Sequence, residues 1–172
     1  MKAPFDFVIK PKGNRYNNTT KVGDKELILN TEVYNHEFVN REAIVKSVPT
    51  AFKSEIRPGD TIITHHIVFR RWHDVKGKER NSKSFFDENT YLVKEDQIFL
   101  YKRDGEWRAP KGYCFVQPIK DRTRFGVDEE ESCIGVVKHT DSVYSKGDLV
   151  GFTPFSTYEF IIDGERLYRV MT

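Results

Sequence analysis

A chain of 172 residues, 38% of them hydrophobic, has room for one domain of ordinary size or two small ones around a real but modest core. Its 28 Lys and Arg stand against 26 Asp and Glu, so a formal charge of +2 gives no net pull toward nucleic acid or an anionic membrane, and any basic patch has to be local. No apolar run is long enough to span a bilayer, and Met1-Lys2-Ala3-Pro4 leads into an alternating segment without a signal-peptide core, which predicts a soluble, cytoplasmic protein.

Along the chain, Phe5-Asp6-Phe7-Val8-Ile9-Lys10 reads as a first strand, stopped by Pro11 and Gly13. Gly13 to Asn40 is then polar and rich in Asn and Thr, apart from one apolar triplet, Leu27-Ile28-Leu29. Two readings fit it: a mobile arm with an adhesive tip, or a surface loop leading into an ordinary strand. Glu42-Ala43-Ile44-Val45-Lys46-Ser47-Val48 is a β-branched run closed by Pro49. Arg57-Pro58-Gly59-Asp60 places Pro and Gly at the central positions of a type II turn, where proline pre-sets its φ and glycine accepts a positive one. Thr61 to Phe69 follows as a strand, with His65 and His66 on its opposite faces.

Residues 70–89 are polar, with Arg70, Arg71, Lys76, Lys78, Arg80 and Lys83 around Trp72, and read as a hairpin extension or long loop. Thr90 to Val93 resumes the β pattern, Lys94-Glu95-Asp96 is a polar corner, Gln97 to Tyr101 is another strand, and Asp104-Gly105 is a hairpin turn. Pro and Gly punctuate the chain too often for long helices, so the class is all-β with short strands. Cys114 and Cys133 sit far apart inside strand-like runs and read as buried thiols.

The second half restates the first. Phe7 to Pro11 corresponds to Cys114 to Pro118, and Ala43 to Lys46 to Gly135 to Lys138. Pro58 to Ile62 corresponds to Lys146 to Val150, and Thr90 to Val93 returns within Arg166 to Val170. The segments between anchors are shorter in the second copy, so the stretch 13–40 and the extension 70–89 decorate the first copy only. The domain division expected is 1–104 and 105–172.

No Gly-x-Ser-x-Gly, phosphate loop or dinucleotide fingerprint occurs, and the carboxylates show no acid/base spacing, so no enzyme activity is expected. His65, His66, His73 and Asp74 are the one local cluster with metal-binding side chains; two neighbours on opposite strand faces cannot share an ion, and no metal site is expected. The segment 70–83 combines positive charge with Trp72 as a stacking face, a composition suited to single-stranded nucleic acid, but Asp74 and Glu79 interrupt the charge and favour a solvated hairpin.

In their order these motifs resemble the co-chaperonin family, the GroES-like small chaperonin subunit. The first half carries Leu27-Ile28-Leu29, Arg41-Glu42-Ala43-Ile44-Val45, Pro58-Gly59-Asp60-Thr61-Ile62-Ile63 and Tyr91-Leu92-Val93-Lys94-Glu95-Asp96-Gln97-Ile98. The second carries Gly135-Val136-Val137, Lys146-Gly147-Asp148-Leu149-Val150 and Ile162-Asp163-Gly164-Glu165-Arg166-Leu167-Tyr168. The resemblance implies two small GroES-like β-barrels in tandem. It also implies a homo-oligomer, in ring form in that family, whose mobile loop, tipped by Leu27, Ile28 and Leu29, docks on a large chaperonin ring and helps to enclose a folding substrate. No cofactor is implied for this chain, since ATP would be bound by the chaperonin.

Departures from the family pattern are also legible. Pro49 to Ile56 is short for a roof hairpin. Between Pro118 and Ser132 the second half has Arg122-Thr123-Arg124-Phe125 and Asp128-Glu129-Glu130-Glu131 in place of an apolar triplet, so at most one docking arm per chain is expected. The second half also lacks a counterpart of Gln97 to Tyr101, which predicts an open sheet edge to be covered by Ile98 to Tyr101 or by a neighbouring chain. Two alternative functions remain: a structural or assembly β-barrel without a chaperone role, and a nucleic-acid-binding module using 70–83.

Overall fold

The computed structural model of the chain describes residues 1–16, 19–28, 39–120, 130–141, 143–153 and 158–172. It is all-β, with antiparallel pairing throughout the described strands. Two compact units, Met1–Asp104 and Gly105–Thr172, meet at a turn in which Asp104 (φ 52°) and Gly105 (φ 83°) both take the left-handed conformation of a type I′ hairpin. No helix among the described residues is long and apolar enough to cross a membrane.

The first unit contains β1 (Phe7–Pro11), β2 (Thr19–Val22), β3 (Lys25–Ile28), β4 (Glu42–Ser47), β5 (Thr61–Thr64), β6 (Arg71–His73), β7 (Glu79–Asn81), β8 (Phe85–Asp87), β9 (Thr90–Val93) and β10 (Ile98–Arg103). Its main sheet runs β10-β5-β4-β1-β9-β8, while β2-β3 and β6-β7 are separate two-stranded hairpins. Alternation along β1 and β9 sends Phe7, Ile9, Tyr91 and Val93 into one core with Val45, Ile62, Phe69 and Ile98.

The second unit contains β11 (Glu106–Arg108), β12 (Tyr113–Lys120), β13 (Glu130–Thr140), β14 (Leu149–Gly151), β15 (Tyr158–Ile162) and β16 (Glu165–Met171), with a five-stranded sheet ordered β14-β13-β12-β16-β15. That order is the first unit's β5-β4-β1-β9-β8 over again, and the register repeats residue by residue. Ile9 faces Val45 and Tyr91 in the first unit; Val116 faces Val137 and Tyr168 in the second. Both copies break register at the same place, between Val8 and Ile9 and between Phe115 and Val116. Ala43 faces Ile62 as Gly135 faces Val150.

The turn between the equivalent strands is also shared. The Gly59 N–H donates to the Val45 carbonyl at 2.8 Å, and the Gly147 N–H to the Val137 carbonyl at 2.8 Å. The Asp60 carboxylate accepts from the Arg57 N–H at 2.8 Å, as Asp148 does from the Ser145 N–H at 2.8 Å. Gly59 (φ 94°) and Gly147 (φ 98°) occupy the left-handed position that the turn demands.

Four sequence expectations are corrected. Neither main sheet closes into a barrel: each is an open ladder, ending on β8 in one unit and on β14 and β15 in the other. Closure needs tilted strands long enough to stagger past one another, and here most strands span three to six residues. Second, Thr61 to Phe69 is not one strand. β5 stops at Thr64, and His66–Val68 is a 3-10 turn that carries Val68 and Phe69 into the core, capped by His65 Nδ1 accepting the Ile67 N–H at 3.1 Å. The two histidine rings therefore lie beside each other, centroids 4.3 Å apart, rather than on opposite faces. Third, Cys114 is buried but Cys133 is only half-buried, at φ 59°. Fourth, Ile98–Arg103 is seated on β5 within its own unit, so it is not a spare strand.

On the face that matches the first unit's core, the second unit carries smaller side chains. Cys114 and Val116 stand where the first unit has Phe7 and Ile9. Burial pushes the Cys114 thiol up to about 11, so it stays protonated and acts as a small apolar group.

Candidate partner-binding site

Two hairpins of the first unit, β2-β3 and β6-β7, have no counterpart among the described residues of the second. β2 and β3 pair through Thr19↔Ile28, Thr20↔Leu27, Lys21↔Glu26 and Val22↔Lys25, leaving Gly23-Asp24 as a two-residue turn with Gly23 at φ 62°. Strand alternation and this register place Val22 and Leu27 on one face, where they are 57% and 50% exposed. Of the sequence-predicted site, then, Leu27 is an exposed side chain of β3, Ile28 ends that strand, and Leu29 lies outside the described residues. The turn of the β2-β3 hairpin falls at Gly23-Asp24. Val22 is an exposed apolar neighbour that the triplet alone does not reveal; the Gly-Asp pair between two β-type runs was its signal.

Where this arm leaves the sheet, its two ends are tied to each other. The Asn40 side-chain amide donates to the carbonyls of Lys12 at 3.1 Å and Asn14 at 2.8 Å, while its Oδ1 accepts the Glu42 N–H at 2.9 Å. The Asn40 N–H donates to the Arg15 carbonyl at 2.9 Å, and Tyr16 bridges Val39. Asn40 is buried and its bonds are part-buried, so the two ends of the arm are tied together by a partly shielded network.

The second hairpin, β6-β7, is organised by Asp74. Its carboxylate accepts the N–H groups of Lys76 at 2.9 Å and Lys78 at 3.0 Å and pairs with Arg80 Nε at 2.9 Å. The hydrogen bond from Lys78 leads the forces that hold the Asp74 carboxyl below its usual range. Arg71 pairs with Glu79 at 3.1 Å. Two of the six cations in 70–83 are thereby committed inside the hairpin, while Trp72, Val75 and Phe86 are exposed apolar groups on and beside it.

The bases of the two hairpins are joined. Arg15 donates through Nη2 to the Phe69 carbonyl at 3.1 Å and through Nη1 to Asn81 Oδ1 at 2.9 Å, and its guanidinium lies 5.3 Å from the Phe85 ring centre. Tyr16 accepts the Arg71 N–H. A polar cleft of about 380 Å³ lies between them, lined by Arg15, Arg71, Glu79, Glu88 and Asn81. Its lining carries charges of both signs.

Among the described residues no group of three or more His, Cys, Asp or Glu side chains could hold a metal ion. The acidic and basic stretch 121–129 of the second half lies outside the described residues. Compared with protein-family models, with curated proteins and with solved structures, the chain matches none.

Proposed function

We propose that the protein is a co-chaperonin-like docking protein without enzymatic activity, built on two divergent copies of a GroES-like unit. Its arm, residues 13–40, engages the apical face of a large chaperonin ring. The observation that carries this reading is the insertion of an apolar-faced hairpin, β2-β3, between the paired strands β1 and β4 of the first copy, with its root locked by Asn40 and Tyr16. A root tied by these bonds, with Val22 and Leu27 exposed on the hairpin, gives a contact of modest area. Such an arm binds weakly as a single copy, and several arms on a homo-oligomer would act together through effective concentration. ATP belongs to the ring, and no cofactor is assigned to this chain.

The test is co-elution of the intact protein with a chaperonin ring in the presence of ATP. Substituting Leu27, Ile28 and Leu29 by Ser abolishes co-elution while leaving the circular dichroism spectrum unchanged. Undiminished co-elution of that variant rejects the arm as the docking element. Loss of the folded spectrum instead assigns the triplet to the core, in favour of an assembly protein without a chaperone role. For the nucleic-acid alternative the internal pairs Arg71–Glu79 and Arg80–Asp74 are unfavourable, because they leave the hairpin fewer free cations for phosphates.

A further inference from the structure

The repeated register makes the two sheets comparable strand by strand, and one strand has no counterpart. In the first unit β5 lies between β4 and β10, whereas in the second unit the equivalent strand, β14, is the last in the sheet. Leu149, Val150 and Gly151 of β14 correspond to Thr61, Ile62 and Ile63 of β5. On β14 the Asp148 carbonyl and the Phe152 N–H are bonded toward β13, at 2.9 Å to the Val137 N–H and 2.9 Å to the Cys133 carbonyl. Strand alternation therefore turns the N–H and C=O groups of Leu149 and Gly151 outward, where no described strand lies. In β5 the corresponding residues, Thr61 and Ile63, face Lys102 and Leu100 of β10. Ile63 is 5% exposed beneath that strand, while Leu149 on the uncovered edge is 66% exposed.

A charge is also left over. Asp60, 6% exposed, receives two hydrogen bonds from Arg103 at the end of β10, Nε at 3.1 Å and Nη2 at 2.6 Å. Asp148 performs the same turn-capping role but is exposed and takes part in no ion pair among the described residues. The strand that brings an arginine to Asp60 has no counterpart among the described residues of the second unit.

We propose that the outer edge of β14 is a strand-addition site for an extended segment of another protein. The segment runs antiparallel to β14 and carries the chemistry of β10: a run of apolar residues, then an arginine that pairs with Asp148. β10 itself, among the described strands, has this pattern but is buried in its own sheet, so a second copy of the chain does not offer it. The edge carries neither proline nor an inward lysine over Leu149–Gly151, the usual guards against strand addition.

The probe is a fluorescent peptide with the sequence of residues 94–103, titrated into the intact protein and followed by anisotropy. Saturable binding is expected. Asp148→Asn, which keeps an acceptor for the Ser145 N–H but removes the charge, weakens binding about tenfold. Changing the peptide's terminal arginine to glutamate has the same effect, and Gly151→Pro, which deletes an outward N–H, abolishes binding. Should Gly151→Pro fail to fold, a peptide N-methylated at the leucine nitrogen supplies the same backbone test from the other side. Absence of saturable binding overturns the proposal, as does binding indifferent to Asp148→Asn, to the peptide arginine and to the backbone block. Self-association that Asp148→Asn disrupts, without peptide binding, overturns it in favour of a second copy at this edge.

Discussion

The main-chain N–H of Arg71 donates to the Tyr16 hydroxyl at 2.8 Å, and the guanidinium of the same arginine lies 5.0 Å from the centre of the tyrosine ring. Tyr16 belongs to the root of the arm and Arg71 opens the second hairpin, so one buried phenol fastens both decorations of the first unit to its core. Tyr16→Phe keeps the ring and removes the acceptor, leaving the Arg71 N–H without its partner. A loss of about 1–2 kcal/mol is expected. Amide exchange should speed up over both 19–28 and 71–81; acceleration in only one hairpin would show that the two are not coupled through this residue.

Arg103 and Asp60 give a second prediction. Asp60 is buried and Arg103 largely so, and the hydrogen bond that Arg103 donates to the carboxylate leads the forces that raise the arginine's pKa further. Arg103→Met strands the carboxylate and should cost about 2–4 kcal/mol, measured by chemical denaturation. The double variant Arg103→Met with Asp60→Asn should recover part of the loss, since the uncompensated charge is gone while the cap on the Arg57 N–H is kept.

At Gly135 the two copies part company. A Cβ there would sit 2.9 Å from the Gln117 carbonyl oxygen and 3.0 Å from Val116 Cβ, yet its counterpart Ala43 is accommodated and fully buried. Gly135→Ala should therefore destabilise the second unit by about 1–3 kcal/mol, because backbone and a β-branched side chain must move. Hydrogen exchange by unit is the measurement. Protection in 1–104 should be unchanged.

His139 predicts a pH dependence. Burial, with the positive charge of Lys146 as a second cause, holds its imidazole below the usual range. The unfolded chain then binds a proton that the folded chain excludes. Its contribution to stability is whole above about pH 6.5 and is lost as the pH falls through the depressed folded value. His139→Gln should flatten the slope of melting temperature against pH below that point, and an unchanged slope would assign it to other groups.

Much of this was legible in the sequence, for reasons that are local. The Pro58-Gly59-Asp60 and Lys146-Gly147-Asp148 turns announce themselves through proline, glycine and a capping aspartate, and from them the repeat can be aligned to the residue. The break at Thr64 was not legible, because Thr61 to Phe69 is β-branched and apolar whether or not a neighbouring strand continues beside it. Nor was the failure of the sheets to close, which depends on tilt and stagger that no residue type encodes. In the arm, Leu27 stood out by its hydropathy, but the ties that hold the arm, Asn40 to Lys12 and Tyr16 to Arg71, join residues far apart in the chain and leave no periodic trace.

The arm's position between β1 and β4 has a consequence for how the chain folds. Pro11 and Ala43 face each other across the ladder, so the arm is a loop whose ends the fold must bring together in any case. Closing a flexible loop becomes harder only with the logarithm of its length, about 0.6 kcal/mol for each doubling. A fourfold shortening would therefore stabilise the first unit by only about 1 kcal/mol. Between Tyr16 and Val39, length and sequence are almost free variables for the sheet, and the contact made by the arm can be retuned without refolding the body that carries it.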